Sequence, residues 1–145
     1  MVITTKRAAA PSAQTQLKIK TGAVKRLVKE RSVYVQEIAS QQVRVEEYRQ
    51  RAANETDPNK QKVCDADVRK QNEVLEETVQ MVPHMERRIR DAMQDLENLV
   101  LATQDRLGGG GGGDDDLEAL ASAREAIAAA ASVVPTSEPK MVGMK

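Results

Sequence analysis

His84 is the only histidine of the chain and Cys64 the only cysteine, so these two side chains bound the chemistry that the composition allows. A zinc site needs several nitrogen, sulfur or carboxylate ligands at short, defined spacings, and neither residue has that company in the sequence. His84 follows Pro83 and has no evident nucleophile to activate, so it reads as a partly exposed turn residue and not as a catalytic base. Six consecutive glycines, Gly108 to Gly113, suggest a phosphate cradle until the next residues are read. The Lys-Ser/Thr ending of such a loop is missing, and Asp114, Asp115 and Asp116 would repel a phosphate. The expectation is a chain with no catalytic residue, no cofactor and no metal: not an enzyme.

What remains is charge. Up to Arg31 the chain carries eight Lys or Arg against the single acid Glu30, whereas Asp91 to Glu125 carries nine acids against two Arg. The formal net charge is zero, so the asymmetry is internal. Clustered Lys and Arg at Lys18 to Arg31 could neutralise phosphates, and a basic stretch leading into heptads has the outline of a zipper-type DNA reader. Arg31 and Gln41 interrupt those heptads, and no aromatic residues are interleaved for base stacking. Nucleic acid is therefore not expected. An acidic protein partner suits the cluster better, and a plain solvated helix face is the alternative.

The elements that must position these charges are helices. The chain has 145 residues, suited to one domain, with no Phe or Trp and two Tyr, so Leu, Ile, Val, Met and Ala must fill its core. From Leu17 to Ala52 no proline intervenes. In a heptad frame Leu17, Val24, Arg31, Ile38, Val45 and Ala52 fall on one seam position, and Lys20, Leu27, Tyr34, Gln41 and Tyr48 on the other. Tyr34 and Tyr48 thus read as core. Val28 and Val35 add a flanking row of the kind that touches two helices at once. Cys64, Val68, Gln71, Leu75, Thr78 and Val82 mark a second seam. Met85, Ile89, Ala92, Leu96, Leu99 and Thr103 mark a third and stronger one, with Met93, Val100 and Leu107 beside it. Met81, Met85 and Met93 suit bundle filling.

The expected organisation is a disordered tail over 1–16, a three-helix bundle over 17–107, a Gly/Asp linker over 108–116, an Ala-rich helix over 117–134 and a disordered end over 135–145. Within the bundle the helices span about 17–51, 58–81 and 83–107. Asp57 caps the second helix with Pro58 at its first position. Pro83 ends that helix in a tight hairpin, since proline deletes a helix hydrogen bond and crowds the preceding turn. The basic segment Lys18 to Arg26 then overhangs, because the first helix is the longest. The Ala-rich helix has high propensity but a thin face, marked by Leu117, Leu120, Ala121, Arg124, Ile127 and Ala131, and packs loosely or not at all. The fold class is all-α: an elongated antiparallel three-helix bundle with spectrin-like, coiled-coil packing and flexible termini.

Two strings carry a resemblance. Leu17-Lys18-Ile19-Lys20-Thr21-Gly22-Ala23-Val24-Lys25-Arg26-Leu27-Val28-Lys29-Glu30 resembles the opening of the tubulin-binding cofactor A family, the tubulin-specific chaperones A. Arg69 to Pro83 looks like the family's second helix and its proline hairpin, and His84 to Leu101, with Arg87, Arg88, Ile89 and Leu96, is similar to its third helix. The likeness covers about Leu17 to Leu107. It implies a three-helix rod, no catalytic residue and no nucleotide or metal. It also implies binding of newly folded β-tubulin after chaperonin release and its transfer to later tubulin-folding cofactors that build the αβ heterodimer. β-Tubulin is acidic overall, so Lys18, Lys20, Lys25, Arg26 and Lys29 are the first contact candidates and Arg87 and Arg88 the second. The Gly/Asp insertion, the Ala-rich tail and the long N-terminal lead depart from the family pattern.

No apolar run is long enough to span a bilayer, residues 1–16 lack the apolar core of a secretory signal, and one cysteine suits a reducing compartment. Residues 1–16 are free of acids, a composition compatible with a transit peptide, although an Ala- and Ser-containing tail is the more economical reading. The expected location is the cytoplasm, with a cytoskeletal, microtubule-associated pool. No membrane partner is expected, and the state is monomer or homodimer. The alternative function is a generic coiled-coil adaptor or self-associating structural protein.

Overall fold

Ser12 opens the first helix. Its Oγ accepts the backbone N–H of Thr15 at 3.2 Å, which satisfies one of the donors a helix start leaves free, and its carbonyl accepts that of Gln16 at 2.9 Å as the first helical bond. In the computed structural model, which describes residues 12–108 and 113–135, this helix is α1, Ala13–Asn54. It begins four residues before Leu17, so 13–16 belong to the helix and not to a tail. The remaining tail residues, 1–11 and 136–145, and glycines 109–112 lie outside the described residues. The heptad frame holds along the whole of α1: every seam position from Leu17 to Ala52 is buried or half-buried. That includes Tyr34 and Tyr48, and the Arg51 guanidinium carbon lies 5.2 Å from the centre of the Tyr48 ring.

Asp57 starts the second helix as its capping residue. Its Oδ1 accepts the N–H of Asn59 at 2.9 Å, its carbonyl accepts that of Gln61 at 2.8 Å, and Pro58 takes the first helical position. This helix, α2, runs Pro58–Arg106 without a break, with Pro83 inside it. The expected hairpin at Pro83 is not made, and the two helices expected over 58–81 and 83–107 are one. An interior proline costs roughly 3 kcal/mol in helix propensity. Two features let α2 absorb that cost. Pro83 and His84 lie on the exposed side, and so does Val79, whose carbonyl loses its N–H donor to the proline ring, so water can serve it. On the opposite side Met85, Ile89 and Leu96 are at most 1% exposed, and their burial favours keeping the helix whole.

The third helix is the Ala-rich one. α3, Asp114–Val133, starts after Gly113 in extended backbone with no side-chain cap. Asp114, Asp115 and Asp116 form its first turn, where negative charge offsets the helix dipole by about 0.3–1 kcal/mol each. These aspartates are therefore helix, not linker. The expected face is displaced: of its markers only Leu120 is buried, Ile127 is half-buried, and Leu117 is 57% exposed. The buried stripe is Ala119, Ala123, Ala126 and Ala130, flanked by Leu120 and Val134. Alanines at alternating intervals of four and three let a helix approach closely, but each contributes only about 0.8 kcal/mol per buried methyl, well below a buried Leu. The fold is all-α, three helices with no strand among the described residues.

The chain divides into two compact units. The second comprises Leu27–Arg88, the paired later part of α1 and earlier part of α2 joined through 55–57. It is a two-helix hairpin and buries few side chains: Leu27, Gln41, Val45, Ala52 and Met85. The first unit holds 13–26 of α1, 89–106 of α2 and α3. With three helices it buries Leu17, Val24, Ile89 and Leu96 almost completely. Leu17 and Val24 are both 0% exposed, so the basic segment around them packs and does not overhang.

Candidate partner-binding surface

The seven basic candidates divide between the units. In the first, Lys18, Lys25 and Arg26 are exposed on α1. Lys20 is not equivalent to them: it sits on the seam with Leu27 and Tyr34 and is half-buried, so its stem packs and its ammonium reaches the edge. Lys18 and Lys25 line one open groove of about 270 Å³ together with Thr21 and Gly22 of α1 and Asp115, Glu118 and Ala119 of α3. Thr21 is 5% exposed, and its Oγ1 is buried without a hydrogen-bond partner. Gly22 is open: a Cβ built there would meet nothing within 4 Å.

In the second unit Lys29, Arg87 and Arg88 are exposed, with Arg88 Nη1 3.9 Å from Met85 Sδ. Between its helices Arg31 donates through Nε to Glu86 Oε2 at 3.1 Å, and its Nη2 forms an ion pair with the same oxygen at 3.1 Å, with side chains 22% and 15% exposed. Arg31 had read as an interruption of the seam. It is instead a seam position filled by a charge with its counter-charge on the facing helix. The signal was available, since an unmatched seam charge calls for an acid across the hairpin. Placing a turn at Pro83 assigned Glu86 to a different helix and hid it.

The second unit also leaves apolar surface uncovered. Val28 is half-buried, but Val35 of the same flanking row is 43% exposed, and Val74 and Val79 on α2 are 39% and 46% exposed. A row built to touch two helices has only one there. Among the described residues no three of His, Cys, Asp or Glu gather to hold a metal ion, and no helix is long and apolar enough to cross a membrane.

Fold and surface together define an all-α helical bundle protein with exposed basic residues on its helices and exposed valines in its second unit. The chain belongs to the tubulin binding cofactor A family, whose model matches residues 12–127. It is 36% identical over 90 residues to the tubulin-specific chaperone A of Homo sapiens, covering 62% of this chain and 74% of that protein. To the tubulin-specific chaperone A of Saccharomyces cerevisiae it is 36% identical over 92 residues, covering 63% of this chain and 78% of that protein. The Bos taurus protein of that name is 37% identical over 93 residues, covering 62% and 74%. No solved structure gives a significant match.

Proposed function

We propose that the protein is a non-catalytic tubulin chaperone that holds newly folded β-tubulin after chaperonin release and passes it towards heterodimer assembly. Family membership supports the chaperone role. The observation that carries the mechanism is the set of exposed cations on α1; the second unit has, as a feature of its own, exposed valines. Lys18, Lys25, Arg26 and Lys29 attract an acidic surface and speed encounter; Val35, Val74 and Val79 then supply apolar contact that slows release. Arg87 and Arg88 extend the charge on α2. Lys20, half-buried, contributes packing. The protein works in the cytoplasm beside the cytoskeleton and hands its cargo to later tubulin-folding cofactors.

The test is size exclusion of the protein with free β-tubulin and, separately, with αβ-tubulin. A complex with free β-tubulin alone is expected, and Arg26→Glu with Lys29→Glu should weaken it about tenfold while helicity stays unchanged. Equal capture by the variant would remove the basic-face mechanism. The exposed valines of the second unit also fit contact with a second copy of the chain, the self-associating adaptor reading. Mass that rises with concentration in ultracentrifugation, without tubulin capture, would favour it.

A further inference from the structure

We propose that α3 is an intramolecular competitor for the acidic partner: its acidic end forms one wall of the groove that Lys18 and Lys25 also line, and the partner engages those two lysines fully only by displacing it. The inference rests on the basic-face reading above. Asp115 and Glu118 line the same groove as Lys18 and Lys25, so the chain presents to its own cations the charge that an acidic partner would present. No ion pair closes across the groove among the described residues. The attraction therefore acts across an open gap, where salt screens it over about 8 Å under physiological conditions.

The rest of the α3 interface is weak for its length. Its stripe is four alanines with only Leu120 and Val134 buried beside them, and Thr21, which lines the groove, has a buried hydroxyl without a partner. Undocking returns that hydroxyl to water, a gain that opposes the docked state. Above it Gly22 leaves free space that no side chain fills. Docking is thus a balance of a small apolar gain, a screened attraction and a desolvated oxygen. A partner carrying the same charge as α3 can tip it.

The experiment compares the full chain with its Asp115→Asn, Glu118→Gln variant, which keeps Asp114 and Asp116 at the helix start. Two probes are titrated, poly-L-glutamate and free β-tubulin, and amide hydrogen exchange of α3 is followed with each. The variant should bind poly-L-glutamate about three- to tenfold more tightly, and α3 exchange should accelerate when the probe binds. Ala123→Arg, which puts a charge into the alanine stripe, should give the same gain by releasing α3. Equal affinities of wild type and the Asn/Gln variant for poly-L-glutamate, or no binding by either, would overturn the inference whatever tubulin does. A gain with poly-L-glutamate and no complex with β-tubulin would leave the competition standing and remove the tubulin reading alone.

Discussion

Among the described residues Thr21 and Gln41 are the two whose buried side-chain oxygens lack a partner, and they test how the seam of α1 is balanced. Gln41 donates through Nε2 to Glu37 Oε1 at 3.2 Å and so keeps half of its amide satisfied; Thr21 has no partner for its hydroxyl. Thr21→Val keeps the branched shape and removes the desolvated oxygen, so stability should rise by about 1 kcal/mol, read as a higher urea midpoint at unchanged slope. A fall would mean that the hydroxyl finds a partner in solution. Arg31 and Glu86 test the reverse case, in which a charge on a seam is made tolerable by its counter-charge. Removing either alone leaves the other half-buried and unmatched, so Glu86→Ala and Arg31→Ala should each cost about 1–2 kcal/mol. A double-mutant cycle should show coupling of at least about 0.5 kcal/mol; strict additivity would mean the pair is ornamental. The seam itself was legible in the heptad frame. Its charged member became intelligible only when the facing helix supplied Glu86.

Pro83 decides the architecture at the scale of elements. Local chemistry favours a break there, and the buried row of Met85, Ile89 and Leu96 favours continuity; continuity wins because water can serve the freed carbonyl of exposed Val79. Pro83→Ala should therefore stabilise the protein by about 1–2 kcal/mol, the regained hydrogen bond outweighing the entropy that proline removes from the unfolded chain. A hairpin at this position would make the same substitution destabilising, so the sign of the change in the denaturation midpoint discriminates. α3 shows the converse error. Its propensity was plain from the alanines, but propensity does not say which alanines face inward. Leu117 and Ile127 were the natural markers of a face, and the stripe that packs is one of four smaller residues, because a close helix approach selects for size as well as hydrophobicity.

For the whole molecule the contrast between the two units is the controlling feature. The first unit has three helices around Leu17, Val24, Ile89 and Leu96; the second is a hairpin with a half-buried seam. Amides over 31–51 and 60–80 should exchange faster than those over 89–103, because few apolar contacts protect them. Uniform protection along α2 would contradict that division. If partner capture starts with charge, its association rate should also fall steeply between about 0.05 and 0.3 M salt while the dissociation rate changes little.

By itself the sequence determined the helical class, the three seams that pack and the Asp57-Pro58 helix start. Those follow from periodicity and capping, which are local properties of neighbouring residues. Tertiary structure decided that α2 passes through Pro83, that Lys20 is half-buried, that Arg31 meets Glu86, and that α3 seats an alanine face and brings Asp115 and Glu118 to Lys18 and Lys25. Each of those outcomes depends on which surface a distant segment presents. Whether a proline breaks a helix, or a charge finds a partner, is settled by burial energy and counter-charges that arrive from tens of residues away.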